Sequence, residues 1–139
     1  MEESGVKFLA DEHISPKIVT FIGILGDKSI KSIKHPRFRG IIGMEDQDWI
    51  EKVTASGFIC ITCDRGMIID NTIGPYLAKA SARVIFIGKH LANSRKWDQA
   101  LWWLRYWPRI RGYGRTMTPG QLAKVHKNGK IVPIQIKLT

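Results

Sequence analysis

Hydrophobic and polar positions along this chain alternate between short apolar runs and amphipathic stretches, and that alternation predicts its elements. The run Val-Lys-Phe-Leu-Ala at 6–10 has the character of a buried strand and ends abruptly in Asp11, Glu12 and His13. Ser15 and Pro16 supply a helix N-cap and a first helical position. Ile18, Val19, Ile22 and Leu25 then fall on one face, and Gly26 stops the helix. A second strand is expected over 29–34 on Ile30 and Ile33, followed by a basic loop at 35–43 punctuated by Pro36, Gly40 and Gly43. Glu45 and Asp46 open a second helix, where carboxylates favour the positive end of the dipole; Trp49, Ile50 and Val53 form its inner face and Gly57 ends it. The run at 58–62 is a buried strand leading to Asp64, a third helical stretch covers about 75–82, and 83–88 is another buried strand. Strands alternating with helices predict βαβ units, hence an α/β domain with a largely parallel central sheet flanked by helices.

The C-terminal part reads differently. Residues 94–107 form the strongest helix, capped by Asn93 or Ser94, with Trp97, Leu101 and Leu104 as the expected core stripe and Pro108 ending or kinking it. Trp102, Trp103, Tyr106 and Trp107 exceed what one stripe buries, so this surface is expected to meet a partner as well as the core. Asn128-Gly129 is a type I′ turn signal between arms at 121–126 and 130–137, and Pro133 suits an edge strand. No repeat or linker interrupts the 139 residues, which read as one domain with a core at about 5–92 and a C-terminal helix and hairpin at about 93–139.

Composition narrows the class. With 44% hydrophobic and 24% charged residues the chain is neither disordered nor low-complexity. It has no spanning-length apolar run, no basic signal-peptide start and only two cysteines, Cys60 and Cys63, so a cytoplasmic location is expected. Charge changes the picture more: 22 Lys and Arg against 12 Asp and Glu give +10, and after Asp70 the only acid is Asp98. Such a field attracts a polyanion by releasing its counterions, so nucleic acid or an acidic protein is the expected partner, with a solvated basic surface as the plainer alternative.

Ligands of parallel α/β sheets bind outside the carboxyl ends of the strands, and two expected strands here run into acids, Asp11 with Glu12 and, later, Asp64. Asp46, at a helix start between them, can reach the same edge. Converging carboxylates repel one another unless a cation neutralises them, and hard oxygen ligands select Mg²⁺ or Mn²⁺. A metal beside a basic field suits phosphodiester cleavage. Taken singly, each acid is more readily a helix cap or a surface charge, a reading that weakens as acids recur at strand ends in a basic chain.

At these residues a resemblance emerges. Phe8-Leu9-Ala10-Asp11-Glu12-His13, Asp46-Gln47-Asp48-Trp49-Ile50 and Ile61-Thr62-Cys63-Asp64-Arg65, in this order, resemble the PIN-like domain of VapC-type toxins over about the first ninety residues. The tail helix with Trp107-Pro108-Arg109-Ile110 and the closing hairpin are similar to that branch as well. The resemblance implies a compact PIN-like fold and a metal-dependent endoribonuclease, the toxin of a toxin–antitoxin pair. Asp11, Asp46 and Asp64 then match the catalytic, metal-binding acids, and Mg²⁺ or Mn²⁺ is the implied cofactor. Many relatives carry a further acid just past the third motif; Gly66 stands at the near position here, leaving Glu12 or Asp70 for that role. Arg37, Arg39 and Arg65 are the expected RNA-binding residues, since guanidinium forks match phosphate oxygens. Trp102, Trp103, Tyr106 and Trp107 are the expected antitoxin-binding residues, and a homodimer stays open.

Other constellations carry less. Cys60-Ile61-Thr62-Cys63 lies inside a strand with no second pair to complete a zinc site, so two core thiols are expected. Gly112-Tyr113-Gly114 is no dinucleotide fingerprint, and no Gly-x-Ser-x-Gly elbow occurs. A phosphoacceptor receiver fits an acid-free, basic second half poorly, and a dehalogenase-type phosphatase needs an acid where His13 stands. The remaining alternative is a non-catalytic α/β module that binds nucleic acid or a partner.

Overall fold

Strands that are apolar on both faces need cover on both, and the runs at 6–10, 58–62 and 83–88 obtain it as the centre of one sheet. The computed structural model of the chain describes residues 6–11, 13–33, 46–63, 80–92 and 94–134. In chain order the elements are β1 (Lys7–Ala10), α1 (Pro16–Ile24), β2 (Ile30–Ser32), α2 (Asp46–Ala55), β3 (Phe58–Thr62), β4 (Val84–Ile87), the single turn α3 (Lys89–Ala92), α4 (Lys96–Gly114), β5 (Leu122–Val125) and β6 (Ile131–Ile134). The sheet has six strands in the order β2-β1-β3-β4-β5-β6, all parallel to their neighbours except β6, which runs antiparallel to β5. Among the described residues no helix is long and apolar enough to cross a membrane.

Strand periodicity divides the core in two. Phe8, Ala10, Ile59, Ile61, Ile85, Ile87, Ala123 and Val125 face α1 and α4, meeting Ile18, Ile22, Trp103, Trp107 and Ile110. The alternate residues Leu9, Phe58, Cys60, Val84, Phe86 and Leu122 face α2, meeting Ile50 and Val53. The result is three layers, with helices on both sheet faces as the βαβ pattern predicts.

The first helix starts as its sequence directs: Ser15 Oγ accepts from Lys17 N–H at 3.2 Å and Pro16 occupies the first turn. Ile18 and Ile22 are buried, but Leu25 leaves the expected stripe and stands exposed as the C-cap, ahead of Gly26 at φ 104°. Of the stretch expected to be helical at about 75–82, the described part is not: Ala80 and Ser81 form a turn, with Ser81 at φ 62°. The rest of that stretch, the basic loop at 35–43 and the hairpin residues beyond 134 lie outside the described residues.

The largest correction concerns α4. Its buried residues are Trp103, Trp107, Ile110 and Gly114, whereas the expected core stripe is exposed: Trp97 76%, Leu101 51% and Leu104 46%. The helix also runs through Pro108 to Gly114 instead of ending there. Pro108 and Leu104, whose carbonyl loses its partner to the proline, both lie on the solvent side, where water can take the bond's place. Nor does Ser94 cap the helix; its hydroxyl donates to His90 O at 2.8 Å, and Arg95 is the N-cap without a side-chain bond. Gly114 lets the helix settle on β1, since a Cβ there would meet Phe8 Cζ at 2.6 Å.

The hairpin forms at the expected place with a different turn. Gly129 has φ 86° and is the only one of the two signal residues in the left-handed region; its N–H donates to His126 O at 2.9 Å, and His126 N–H donates to Lys130 O at 2.8 Å. These bonds make a three-residue loop of Lys127, Asn128 and Gly129, in which glycine supplies the left-handed position. The first arm, β5, is moreover a sheet member paired with β4.

One polar network ties α4 to the turn after α1. Asp27 accepts from Ser29 N–H at 2.9 Å and from Trp107 Nε1 at 2.7 Å, and pairs with Arg111 Nε at 3.4 Å. Burial alone would raise this carboxyl, but the hydrogen bonds from Ser29 and Trp107 and the Arg111 charge outweigh it and hold it below its ordinary value of 3.8. A depressed carboxyl contributes stability that is complete above the ordinary value and lost as pH falls through the lowered one. The thermal midpoint of the wild type should therefore drop more steeply below about pH 4 than that of Asp27→Asn, measured as parallel melting curves. Parallel pH profiles would show that the network adds nothing to stability.

Candidate functional site

The register that pairs Ala10 with Ile61 sets the next residues, Asp11 and Thr62, side by side at the carboxyl ends of β1 and β3. Alternation turns both toward the α2 face, two positions on from Leu9 and Cys60. Both are buried. The Thr62 hydroxyl donates to Asp11 Oδ2, and His13 N–H donates to Asp11 Oδ1 at 2.9 Å. The backbone is held as firmly: Asp11 N–H donates to Ile61 O at 3.0 Å and Ile14 N–H to Asp11 O at 3.1 Å. The Thr62 hydroxyl thus orients Oδ2 and the His13 N–H orients Oδ1.

This pair also marks the point where the strand order reverses. The chain leaves β1 for β2 on one side, while β3 has β4 on its other side, and in open parallel sheets the crevice between such strands is where ligands bind. The second helix contributes its start to the same place. Gly57, at φ 88°, turns the chain directly from α2 into β3, so helix and strand run antiparallel. Ten helical residues rise ~15 Å and five strand residues ~16 Å, which sets the backbone of Asp46 level with Thr62.

Of the acids singled out in the sequence, the structure places Asp11 and the backbone of Asp46 at one edge and on one face. Glu12, Asp64, Asp70, Arg37, Arg39 and Arg65, and the Asp46 side chain, lie outside the described residues. Among the described residues no three His, Cys, Asp or Glu side chains form a metal-holding group. Thr62 is the participant that sequence reasoning passed over as a role. Its signal was a hydroxyl ending an otherwise apolar run, two residues before an acid.

The thiols behave as core groups. Cys60 and Cys63 are free and buried, and burial followed by the Asp11 charge pushes both upward, Cys63 to about 12. Both side chains pack within the core, Cys60 with Leu9 and Phe86 on the α2 side and Cys63 with the residues facing α1 and α4, in keeping with their expected packing role.

The aromatic cluster divides between core and surface. Trp103 and Trp107 are core residues, with the Trp107 ring edge-on to Phe8 at 5.0 Å. Trp102 and Tyr106 are half-buried, 5.2 Å apart, and Trp102 Nε1 donates to Lys127 O at 2.9 Å. The surface facing outward is instead a groove of about 560 Å³ lined by Leu101, Trp102, Leu104, Arg105, Tyr106 and Lys127, among others. Comparison of the chain with protein-family models, with curated proteins and with solved structures returns no match.

Proposed function

We propose that the chain is a PIN-like, metal-dependent endoribonuclease that acts as the toxin of a toxin–antitoxin pair. The supporting observation is Asp11, a buried carboxylate at the strand-order reversal, oriented by Thr62 and His13 on the face and edge where α2 begins. Asp46 opens that helix, and in the sequence Asp64 follows Thr62 by two residues. Asp11, Asp46 and Asp64, with Glu12 or Asp70 as a fourth, would hold Mg²⁺ or Mn²⁺. Bound there, the cation polarises a phosphoryl oxygen and lowers the pKa of an attacking water. Thr62 and His13 keep the Asp11 carboxylate pointed at the edge, while Arg37, Arg39 and Arg65 hold backbone phosphates. The test is RNA cleavage by purified protein in Mg²⁺ or Mn²⁺ against the same reaction in chelator. RNA binding indifferent to metal, without cleavage, would identify the non-catalytic module instead.

The antitoxin in this reading meets the outer face of α4. Trp97, Leu101 and Leu104 repeat at four and three residues, the seam spacing for a partner helix, and Arg105 and Lys127 line the adjoining groove. An acidic amphipathic helix matches both features, whereas a second copy of the chain brings another +10 of like charge. Leu101→Glu with Leu104→Glu is expected to weaken the toxin–antitoxin complex by about 100-fold without lowering the melting temperature, because both positions are exposed. Unchanged affinity by calorimetry would place the antitoxin elsewhere.

A further inference from the structure

The β5–β6 turn carries a group of cations set apart from Asp11 and its partners, with Lys127 also bordering the α4 groove. Because β5 is parallel to β4, β3 and β1, its carboxyl end opens onto the same sheet edge as Asp11, three strand spacings or ~14 Å away. His126, Lys127 and Lys130 are exposed there and, with Asn128 and Val132, line a shallow depression of about 460 Å³. Lys124 follows from β5, on the α2 face to which Asp11 also turns. We propose that this hairpin tip is a subsite for the backbone phosphates of single-stranded RNA, with Lys124, Lys127 and Lys130 as its cations, on the same edge as Asp11. The inference rests on the nuclease reading for its substrate class and adds the place where the strand is held away from the reacting phosphate.

Three observations support it. The tip is built rigidly: Trp102 Nε1 donates to Lys127 O at 2.9 Å, Arg109 Nη1 to Gly129 O at 3.1 Å, and Lys130 N–H to Asn128 Oδ1 at 3.0 Å. Pinning the backbone from α4 leaves the lysine stems to point outward, so little order is lost when they engage phosphates. The cations are also crowded, and among the described residues none of the three lysines forms an ion pair. Burial, then the charges of Lys127, His126 and Lys124, hold the neighbouring His90 imidazole below its ordinary range. Asp98, the only acid after residue 70, is already paired with Arg95 at 3.2 Å. Finally, among the described residues that line the depression Val132 is the only apolar one, a composition that suits a phosphate chain better than the apolar anchor of a protein partner.

Binding of an oligoribonucleotide to the full chain in EDTA, which withholds the divalent cation that hydrolysis requires, isolates this subsite from cleavage. Lys127→Ala with Lys130→Ala is expected to weaken binding about tenfold and to reduce the slope of log Kd against log salt by about 1.4, two phosphate contacts' worth. The control double variant, Lys28→Ala with Lys52→Ala, removes the same charge from exposed positions before β2 and in the last turn of α2, and should change affinity less than about twofold. Equal losses in both doubles would mean net charge alone, and an unchanged slope in the tip variant would mean that RNA does not use the hairpin; either result overturns the proposal. Asp11→Asn should bind the same oligonucleotide with the wild-type slope. Wild-type protein that bound RNA but failed to cleave it in Mg²⁺ or Mn²⁺ would remove the nuclease reading while leaving the binding result to stand by itself.

Discussion

Asp11→Asn should lower RNA cleavage by at least about 10²-fold while the protein melts within a few degrees of the wild type. The substitution keeps the shape of the side chain and removes its charge. The Thr62 hydroxyl, which donates to Oδ2 in the wild type, can rotate to accept from the new amide, so the buried contact survives in reversed sense. A divalent cation gains no comparable compensation, because a neutral amide is a far weaker ligand for Mg²⁺ or Mn²⁺ than a carboxylate. Thr62→Val separates positioning from ligation: it removes the hydroxyl that donates to Asp11 Oδ2 without altering the charge of the carboxylate. The expected loss is smaller, roughly tenfold, and recovers in part at higher metal concentration, a response that a merely structural role would not give. Full cleavage by Asp11→Asn would end the assignment.

Trp103→Ala should destabilise the fold by about 3–5 kcal/mol, whereas Trp97→Ala, six residues earlier on the same helix, should change stability by no more than about 0.5 kcal/mol. Trp103 is 1% exposed and packs in the layer between the sheet and α4, so its truncation leaves a cavity among Trp107, Trp102 and the strands below. Trp97 is 76% exposed and loses little by being shortened. For a domain of this size the Trp103 variant's melting temperature should fall by roughly 10 °C or more. Equal costs at the two positions would mean that the outward stripe is covered in the folded chain. Denaturant titration of the two variants makes the same comparison at constant temperature.

The division of α4 into these two stripes shows what local pattern can and cannot carry. Positions 97, 101 and 104 and positions 103, 107, 110 and 114 both satisfy a helical repeat, about 120° apart around the axis. The second set runs one position longer and ends in Gly114, the glycine against which Phe8 packs, a clue that periodicity contains but does not rank. What selects it is the sheet: α4 must offer one face to Phe8, Ile59 and Ile85, and Trp103, Trp107 and Ile110 fill that layer.

The sequence by itself determined the strands, the α/β class and the start of α1, because these depend on near neighbours: apolar runs of strand length, a Ser-Pro cap, a glycine after a helix. It also placed Asp11 at a strand end and the hairpin at residues 128–129. Tertiary structure alone decided the neighbours. That β5 joins β4, that Asp11 lies against Thr62 fifty-one residues away, and that the hairpin tip opens on the same edge as Asp11 all follow from strand order. Strand order is set by which faces the crossovers must cover, and no short stretch of chain encodes it. The turn chemistry divides the same way: Asn128-Gly129 announces a reversal, but the three-residue loop is selected by the pairing of Val125 with Ile131, a contact between strands rather than a property of the dipeptide.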